Sequence, residues 1–266
     1  MREDAVLEAQ NLVKTYGKGD SLFTALGGID LTIRQGEKVA IIGKSGSGKS
    51  TLMHLLALLD KPTSGAVFVE GQDAAKLKNG QLGHLRGQKF GFVFQQFFLN
   101  GHASVLENVI LPLKIAGVGR AERKRRALEA LKQVELDDKA KNKAKDLSGG
   151  QKQRVVIARA IVGNPSVIFA DEPTGNLDTA TGQRIEDLLF SLNANQGITL
   201  IVVTHDADLA ARCDRQIHIQ DGRIVDHPEP PAATREPKAP EPAPDQPDAP
   251  QPPRRPTPRP RRKVHL

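Results

Sequence analysis

The stretch Gly43-Lys44-Ser45-Gly46-Ser47-Gly48-Lys49-Ser50-Thr51 decides the fold of this chain. It fits the pattern G-x-x-x-x-G-K-[ST] of a phosphate-binding loop at every fixed position. Residues 37–42 precede it and predict a buried strand, and residues 51–59 follow it and predict a helix. The motif needs this strand–loop–helix context. The sequence therefore predicts an α/β fold of the P-loop NTPase type.

The loop has the chemistry that a triphosphate and its metal ion require. Its glycines let backbone N–H groups turn inward as an anion nest, and a helix starting near Ser50 points its positive end at the phosphates. Lys49 is expected to reach the β- and γ-phosphates, and the Ser50 hydroxyl is expected to bind Mg²⁺. We therefore predict that all nine residues of the loop contact ATP.

A second motif places two carboxylates after an apolar strand. Residues 167–170 are all apolar and lead into Asp171 and Glu172, as expected for a buried parallel strand that ends at the carboxyl edge of a sheet. Asp171 is expected in the metal shell, acting through water. Glu172 is the candidate catalytic base that orients or deprotonates the attacking water.

A third motif, Leu147-Ser148-Gly149-Gly150-Gln151, makes the chain resemble the nucleotide-binding domains of ABC ATPases over about residues 6–226. The resemblance implies a head-to-tail homodimer. Each ATP would lie between the phosphate loop of one subunit and Ser148, Gly149, Gly150 and Gln151 of the other. The residues themselves support this, because the predicted helix 151–160 offers a second N-terminus for an anion.

Four further residues match positions of that family. Tyr16 falls where ABC domains stack an aromatic ring on adenine, although a tyrosine there could equally be part of an ordinary strand. Gln95 matches the Mg²⁺-sensing glutamine, with Gln96 as the adjacent alternative. Asp178 matches the loop that crosses the dimer interface. His205 matches the switch histidine at the γ-phosphate and is the second candidate catalytic residue.

The order of patterns predicts the domain organisation. Residues 1–227 alternate strand-like and helix-like segments and are assigned to one ABC nucleotide-binding domain. Its N-terminal part, residues 7–15 and 22–34, is expected to form an antiparallel β portion. Residues 97–160 are expected to form a helical subdomain. The basic run within 122–131 is most simply a solvated helix face, with a phosphate- or lipid-facing role as the weaker reading.

From Pro228 onward the composition changes. Residues 228–266 hold 14 of the 18 prolines, and 254–263 carry six basic residues and no acid. Such a segment cannot bury a core, so we expect a disordered, Pro-rich basic tail. It is either a solubilising linker or a tether to anionic lipid or a partner.

Composition excludes several classes of protein. There is no apolar run of about 18 residues that could span a membrane, and the N-terminus lacks a signal-peptide pattern. Cys213 is the single cysteine, which leaves neither a disulfide framework nor a cysteine zinc cluster. These features agree with a reducing cytoplasmic compartment, and the ABC resemblance then implies a peripheral protein on the cytoplasmic face of the cell membrane. The net charge of +7 comes partly from the tail and does not by itself indicate nucleic acid.

Two classes of ABC protein remain: a transporter subunit and a soluble ATPase acting on DNA or ribosomes. The chain has no room for a long coiled coil, no zinc cluster and no second phosphate loop, which favours the transporter. Residues 92–100, 105–113 and 170–178 resemble the MacB/LolD-type group, with a departure at 100–104. The resemblance implies ATP-driven export or mechanotransmission through a separate membrane permease subunit with an extracytoplasmic domain, and no nucleic-acid partner.

Overall fold

A computed structural model describes residues 4–225, apart from the side chain of Asp20. The predicted tail 228–266 lies outside the described residues. The first of two sheets is antiparallel and has the order β2-β1-β4-β5. Its strands are β1 (Ala5–Tyr16), β2 (Phe23–Arg34), β4 (Ser64–Val69) and β5 (Gln72–Asp73). The predicted N-terminal antiparallel β portion is thus confirmed: β1 is longer than expected by two residues at its start and one at its end, and β2 begins one residue later than expected.

The second sheet carries the motifs. It has the order β10-β9-β3-β8-β7-β6, parallel except for the edge pair β9–β10. Its strands are β3 (Lys38–Ile42), β6 (Phe90–Phe94), β7 (Val167–Asp171), β8 (Thr199–Val203), β9 (Arg215–Gln220) and β10 (Arg223–Val225). Because helices cover both faces of a parallel sheet, its central strands are continuous apolar runs rather than alternating ones.

Seven α-helices connect the strands within residues 4–225: α1 (Lys49–Leu56), α2 (Asn79–Lys89), α3 (Val105–Ile115), α4 (Arg120–Gln133), α5 (Gly149–Ile161), α6 (Thr179–Gln196) and α7 (Ala207–Ala211). The stretch between β6 and β7 is helical, as expected. No helix among them combines the length and the hydropathy that a bilayer crossing requires.

Two apolar clusters form the core. One packs β1, β2 and β4 against α1 and one face of the parallel sheet, around Leu52, Leu55 and Phe169. The other packs α3, α4, α5 and α6 together and against the opposite face of that sheet, around Leu131 and Ile157. Burial of this apolar area is the main stabilising contribution, at roughly 25 cal/mol per Å². The parallel sheet, held from both sides, presents the ends of β3, β7 and β8 along one edge.

Candidate functional site

The phosphate loop connects β3 to α1, as predicted. Gly46 and Gly48 have φ of +79° and +107°, a region that favours glycine, and Gly48 caps the N-terminus of α1. A Cβ on Gly48 would lie 2.7 Å from the Ala25 carbonyl oxygen. Lys44 and Ser45 lie at the tip of the loop, where Ser45 is exposed. The loop therefore leaves its backbone N–H groups and the start of α1 open to an anion.

The polar side chains of the loop are arranged for a ligand. Lys49 Nζ donates to the carbonyls of Gly43 at 2.8 Å and Lys44 at 2.9 Å, so its ammonium lies folded over the loop. Ser47 Oγ is buried and has no hydrogen-bond partner among the described residues. Such an atom is costly unless something satisfies it. Ser50 is exposed in the first turn of α1, and Thr51 behind it is partly buried.

The two carboxylates lie at the end of β7. Burial, and then the neighbouring Glu172 charge, raise the pKa of Asp171, while His54 and Lys49 partly oppose this. A divalent cation beside Asp171 would reverse that balance, since an opposite charge favours the carboxylate form. Within residues 4–225 no three His, Cys, Asp or Glu side chains are grouped as a metal cage. Mg²⁺ does not need one, because it is usually held by one or two protein ligands, phosphate oxygens and water.

Glu172 and His205 are brought together from neighbouring strands. Glu172 has φ of +46°, a strained conformation for a residue other than glycine, and its N–H donates to the Val203 carbonyl at 2.9 Å. This contact holds the Glu172 backbone against the last residue of β8, two positions before His205. His205 Nδ1 and Glu172 Oε1 lie 2.8 Å apart in hydrogen-bonding geometry. His205 is largely exposed, whereas Glu172 is mostly covered.

Ser148 and Gln151 form a reciprocal cap at the start of α5. Ser148 Oγ accepts from the Gln151 N–H at 3.3 Å, and Gln151 Oε1 accepts from the Ser148 N–H at 3.0 Å. With Gly149, Gly150 and Asp178 they line a groove of about 930 Å³ whose lining includes no residue of the phosphate loop. The groove beside the cap is therefore separate from the phosphate loop of the same chain.

Gln95, Asp178 and Tyr16 occupy three separate positions around these motifs. Gln95 follows β6, and its carbonyl accepts from Asn176 Nδ2 at 2.9 Å, which ties it to the loop after β7. Asp178 caps α6 by accepting from the Thr181 N–H at 3.0 Å, and hydrogen bonds from Thr181 hold its pKa below the ordinary value. Tyr16 ends β1 and is 42% exposed. Gln96 is also exposed.

Sequence reasoning missed Gln153, which links these elements. It is fully buried on α5, and its Nε2 donates to the Pro173 carbonyl at 2.7 Å and weakly to the Phe94 carbonyl at 3.4 Å. It thereby joins the helix of the third motif to the residues that follow β6 and β7. A signal existed, because Gln153 shares the buried face of α5 with Val156, Ile157 and Ala160 at i+3, i+4 and i+7.

Known proteins resemble this chain over most of its length. A lipoprotein-releasing system ATP-binding protein LolD from Syntrophotalea carbinolica is 48% identical over 84% of this chain and 99% of its own length. A macrolide export ATP-binding/permease protein MacB from Acinetobacter baylyi is 49% identical over 85% of this chain. The matched region makes up 34% of the length of that MacB protein. A dimeric structure of MJ0796, a bacterial ABC transporter cassette, is 45% identical with a TM-score of 0.75, covering 82% of this chain and 96% of that one.

A related structure of the same cassette is a dimer in a post-hydrolysis state bound to ADP and Pi, at 44% identity and a TM-score of 0.75. It covers 82% of this chain and 96% of the cassette. The family model described as ABC transporter matches residues 26–175, from β2 through the phosphate loop and the third motif to the loop after β7. The chain therefore belongs to the ABC transporter family, as one of its ATPase subunits.

Proposed function

We propose that this ATPase works as a head-to-tail homodimer that drives a membrane permease, with ATP bound between the phosphate loop of one subunit and the Ser148–Gln151 cap of the other. The observation that carries the proposal is the separation of the two halves within one chain. The cap lines a groove of its own with Asp178, and none of the phosphate-loop residues borders it. Each half offers a helix N-terminus to an anion, so two copies are needed to enclose one triphosphate.

The phosphate-loop half supplies the groups that ATP requires. The buried, unsatisfied Ser47 hydroxyl and the glycine-lined turn fit a bound phosphate, and Lys49 needs only to leave the carbonyls of Gly43 and Lys44 to reach one. Tyr16 would stack its ring on adenine. Asp178 would contact the site across the dimer interface.

Ser50, Gln95 and Asp171 are the residues that would hold Mg²⁺. When bound, the ion neutralises charge that develops on the transferred phosphoryl group. Their donor set of hydroxyl, amide and carboxylate oxygens is the type that Mg²⁺ accepts. The raised pKa of Asp171 points in the same direction, since this half-buried carboxylate gains from a nearby positive charge.

Glu172 is the group that would take a proton from the attacking water. Its strained backbone and the hydrogen bond between its N–H and the Val203 carbonyl hold its main chain beside the end of β8. His205, at 2.8 Å from Glu172 Oε1, orients that carboxylate and is exposed enough to meet a γ-phosphate. ATP would favour the closed dimer through γ-phosphate contacts that ADP cannot make.

The partner would be a separate membrane permease subunit with an extracytoplasmic domain, and the ATPase would sit at the cytoplasmic face of the membrane. The similarity to LolD and MacB supports export or mechanotransmission. A contact surface is available where Phe98, Leu111 and Ile115 are 65%, 47% and 80% exposed, on the segment after β6 and on α3. Contiguous exposed apolar surface marks contact sites, and Leu111 and Ile115 lie one turn apart on the same face of α3. The relatives described above favour this class over an ATPase of DNA or ribosomes.

The Glu172→Gln substitution tests the catalytic part of the proposal. Removing a general base lowers turnover by about 10²- to 10⁴-fold, while ATP binding should persist and an ATP-bound dimer should accumulate. Steady-state hydrolysis and light scattering with ATP measure both effects. Glu129→Gln, on the exposed face of α4, is the matched control and should behave as wild type. Normal hydrolysis by Glu172→Gln would show that another group is the base.

Ser148→Arg tests the composite site separately. The long, positively charged arginine side chain should leave ATP binding to the monomer unchanged and should block closure of the dimer. If ATP still produced a dimer of Ser148→Arg at the wild-type concentration, the cap would not be part of the ATP interface.

Purification of Glu172→Gln from membranes with ATP then identifies the permease that accompanies it.

A further inference from the structure

Two side chains that the proposed function does not use hold the ring of Tyr16. The Tyr16 hydroxyl donates to Asp60 Oδ2 at 3.1 Å, and Lys14 Nζ lies 2.8 Å from the same oxygen. The Lys14 ammonium also lies 4.8 Å from the centroid of the Tyr16 ring. The ring is thus held at its hydroxyl and over one face. We call Lys14 and Asp60 the Tyr16 clamp.

The clamp is itself anchored just beyond the C-terminus of α1, the helix whose N-terminus is the phosphate loop. Lys14 Nζ donates to the Lys61 carbonyl at 2.7 Å, and Asp60 Oδ1 accepts from the Lys61 N–H at 2.7 Å. The Asp60 N–H donates to the carbonyl of His54 in the last turn of α1 at 3.2 Å. The position of the ring is therefore tied to the same helix that presents the phosphate site.

The charges of the clamp are partly shielded from water. The Lys14 side chain is 12% exposed and that of Asp60 is 37% exposed. Burial raises the pKa of Asp60, but hydrogen bonds from Lys14, Lys61 and Tyr16 outweigh it and hold the pKa below its ordinary value. Asp60 therefore stays ionised at neutral pH and keeps both contacts.

We propose that Lys14 and Asp60 are positioning residues, which hold the Tyr16 ring in the orientation that stacks on adenine and so set the affinity for the base. This inference rests on the proposed function, in which Tyr16 contacts adenine. Tyr16 is 42% exposed, so the ring keeps surface open to a ligand although Lys14 covers one face. Because the ring is already ordered, little side-chain entropy is lost when the nucleotide binds.

The clamp acts on the base end of the nucleotide and should leave the phosphate end unchanged. An unclamped ring has to be ordered on binding, which weakens affinity by about 3- to 10-fold. We expect Asp60→Asn and Lys14→Met to raise the dissociation constant of ADP by that factor. The dissociation constant of inorganic pyrophosphate, which has no base, should stay within about 2-fold of wild type. Calorimetric titration of both ligands avoids any turnover.

Asp214→Asn is the matched control. Asp214 also pairs with a lysine, Lys38 Nζ at 3.0 Å, and also accepts a backbone N–H, that of Lys38 at 2.9 Å. Asp214 directly precedes β9 and contacts Lys38, the first residue of β3, whereas the phosphate loop follows the last residue of β3. This variant should bind ADP and pyrophosphate as wild type does. Equal weakening of both ligands in Asp60→Asn would indicate a general loss of structure and would overturn the positioning role.

The composition of the chain provides a second readout. Tyr16 is the only tyrosine and there is no tryptophan, so intrinsic emission in the tyrosine region reports this ring alone. Loss of the hydrogen bond to a carboxylate should raise the emission in Asp60→Asn, and saturating ADP should lower it again by stacking. Emission unchanged between wild type and Asp60→Asn would mean that the ring is not clamped in solution.

Tyr16→Leu separates failure of this inference from failure of the proposed function. If Tyr16→Leu weakens ADP binding and the two clamp variants do not, the ring binds adenine without needing the clamp, and the inference is wrong. If Tyr16→Leu leaves ADP binding unchanged, the adenine contact itself is wrong. Weakening in all three variants, with pyrophosphate unaffected, is the result we expect.

Discussion

Gly48→Ala should destabilise the protein and weaken nucleotide binding, although it adds a single methyl group. Gly48 lies at the N-terminus of α1 and has φ of +107°. Any residue other than glycine is strained in this backbone conformation. The added Cβ would lie 2.7 Å from the Ala25 carbonyl oxygen and 2.9 Å from Leu26 Cδ2. Neither neighbour can move easily, because one is backbone and the other is a fully buried side chain.

The magnitude follows from two contributions. A residue held in a disfavoured φ region costs about 1–3 kcal/mol, and forcing an extra methyl into a packed site costs about 1–3 kcal/mol. The free energy of unfolding should therefore fall by about 2–6 kcal/mol. For a domain of this size, each kcal/mol lowers the unfolding midpoint by about 2–4 °C, so we expect a decrease of at least about 4 °C.

Gly83→Ala is the matched control, since the same substitution should act in the opposite direction. Gly83 lies inside α2 without a positive φ, and apart from its chain neighbours and the backbone of its own helix no atom lies within 4 Å of the position that an added methyl group would take. Alanine there should stabilise by about 0.5–1 kcal/mol, because glycine is a poor helix residue. Thermal unfolding followed by circular dichroism and ADP titration measures both variants. If Gly48→Ala unfolded at the wild-type temperature and bound ADP normally, the argument from backbone geometry would be refuted.

Three other substitutions or treatments have defined outcomes. Burial, with Asp214 adding to it, raises the pKa of the Cys213 thiol to about 11, so a maleimide at pH 8 should label it roughly 100-fold more slowly than an exposed cysteine. Asp171→Asn should abolish hydrolysis yet raise the unfolding midpoint of the nucleotide-free protein near pH 7. The pKa of Asp171 is higher in the folded protein than in the unfolded chain, so its ionisation lowers the stability of the folded protein as pH rises from the unfolded pKa through the folded one. Asparagine does not ionise and therefore removes this loss of stability. A midpoint that did not rise would contradict this sign. Gln153→Glu would bury a charge against the Pro173 carbonyl and should destabilise by about 3 kcal/mol or more, whereas Gln151→Glu at the exposed cap should cost far less, as urea unfolding would measure.

The parts of the fold that carry motifs could be predicted because local pattern and tertiary role agree there. The central residues of β3 and β7 are all apolar; β3 leads into Gly43 and Lys44, and β7 ends at Asp171. The cap formed by Ser148 and Gln151 is also local, since the two residues are three positions apart. These elements needed no knowledge of what lies across the chain.

Helix α2 was not predicted, and its sequence explains why. It contains Gly80, Gly83 and Gly87 in 11 residues, and each glycine disfavours a helix. A local cap supports its start, since the Lys78 N–H donates to Gln81 Oε1 at 2.9 Å. The helix is also held by a contact that sequence does not show, because Arg86 NH1 donates to the Leu58 carbonyl at 2.7 Å. Tertiary contacts override weak propensity here.

The candidate site divides in the same way between local and non-local information. Sequence could nominate Glu172 and His205 separately, but their 2.8 Å contact depends on β7 and β8 being neighbours and on the positive φ of Glu172. Strain of this kind is kept only where the surrounding structure determines it, and the Val203 carbonyl supplies that constraint. A glycine would adopt the same backbone without strain but would have no carboxylate. The strained glutamate is therefore what we expect if the position is selected for its side chain and its direction rather than for stability.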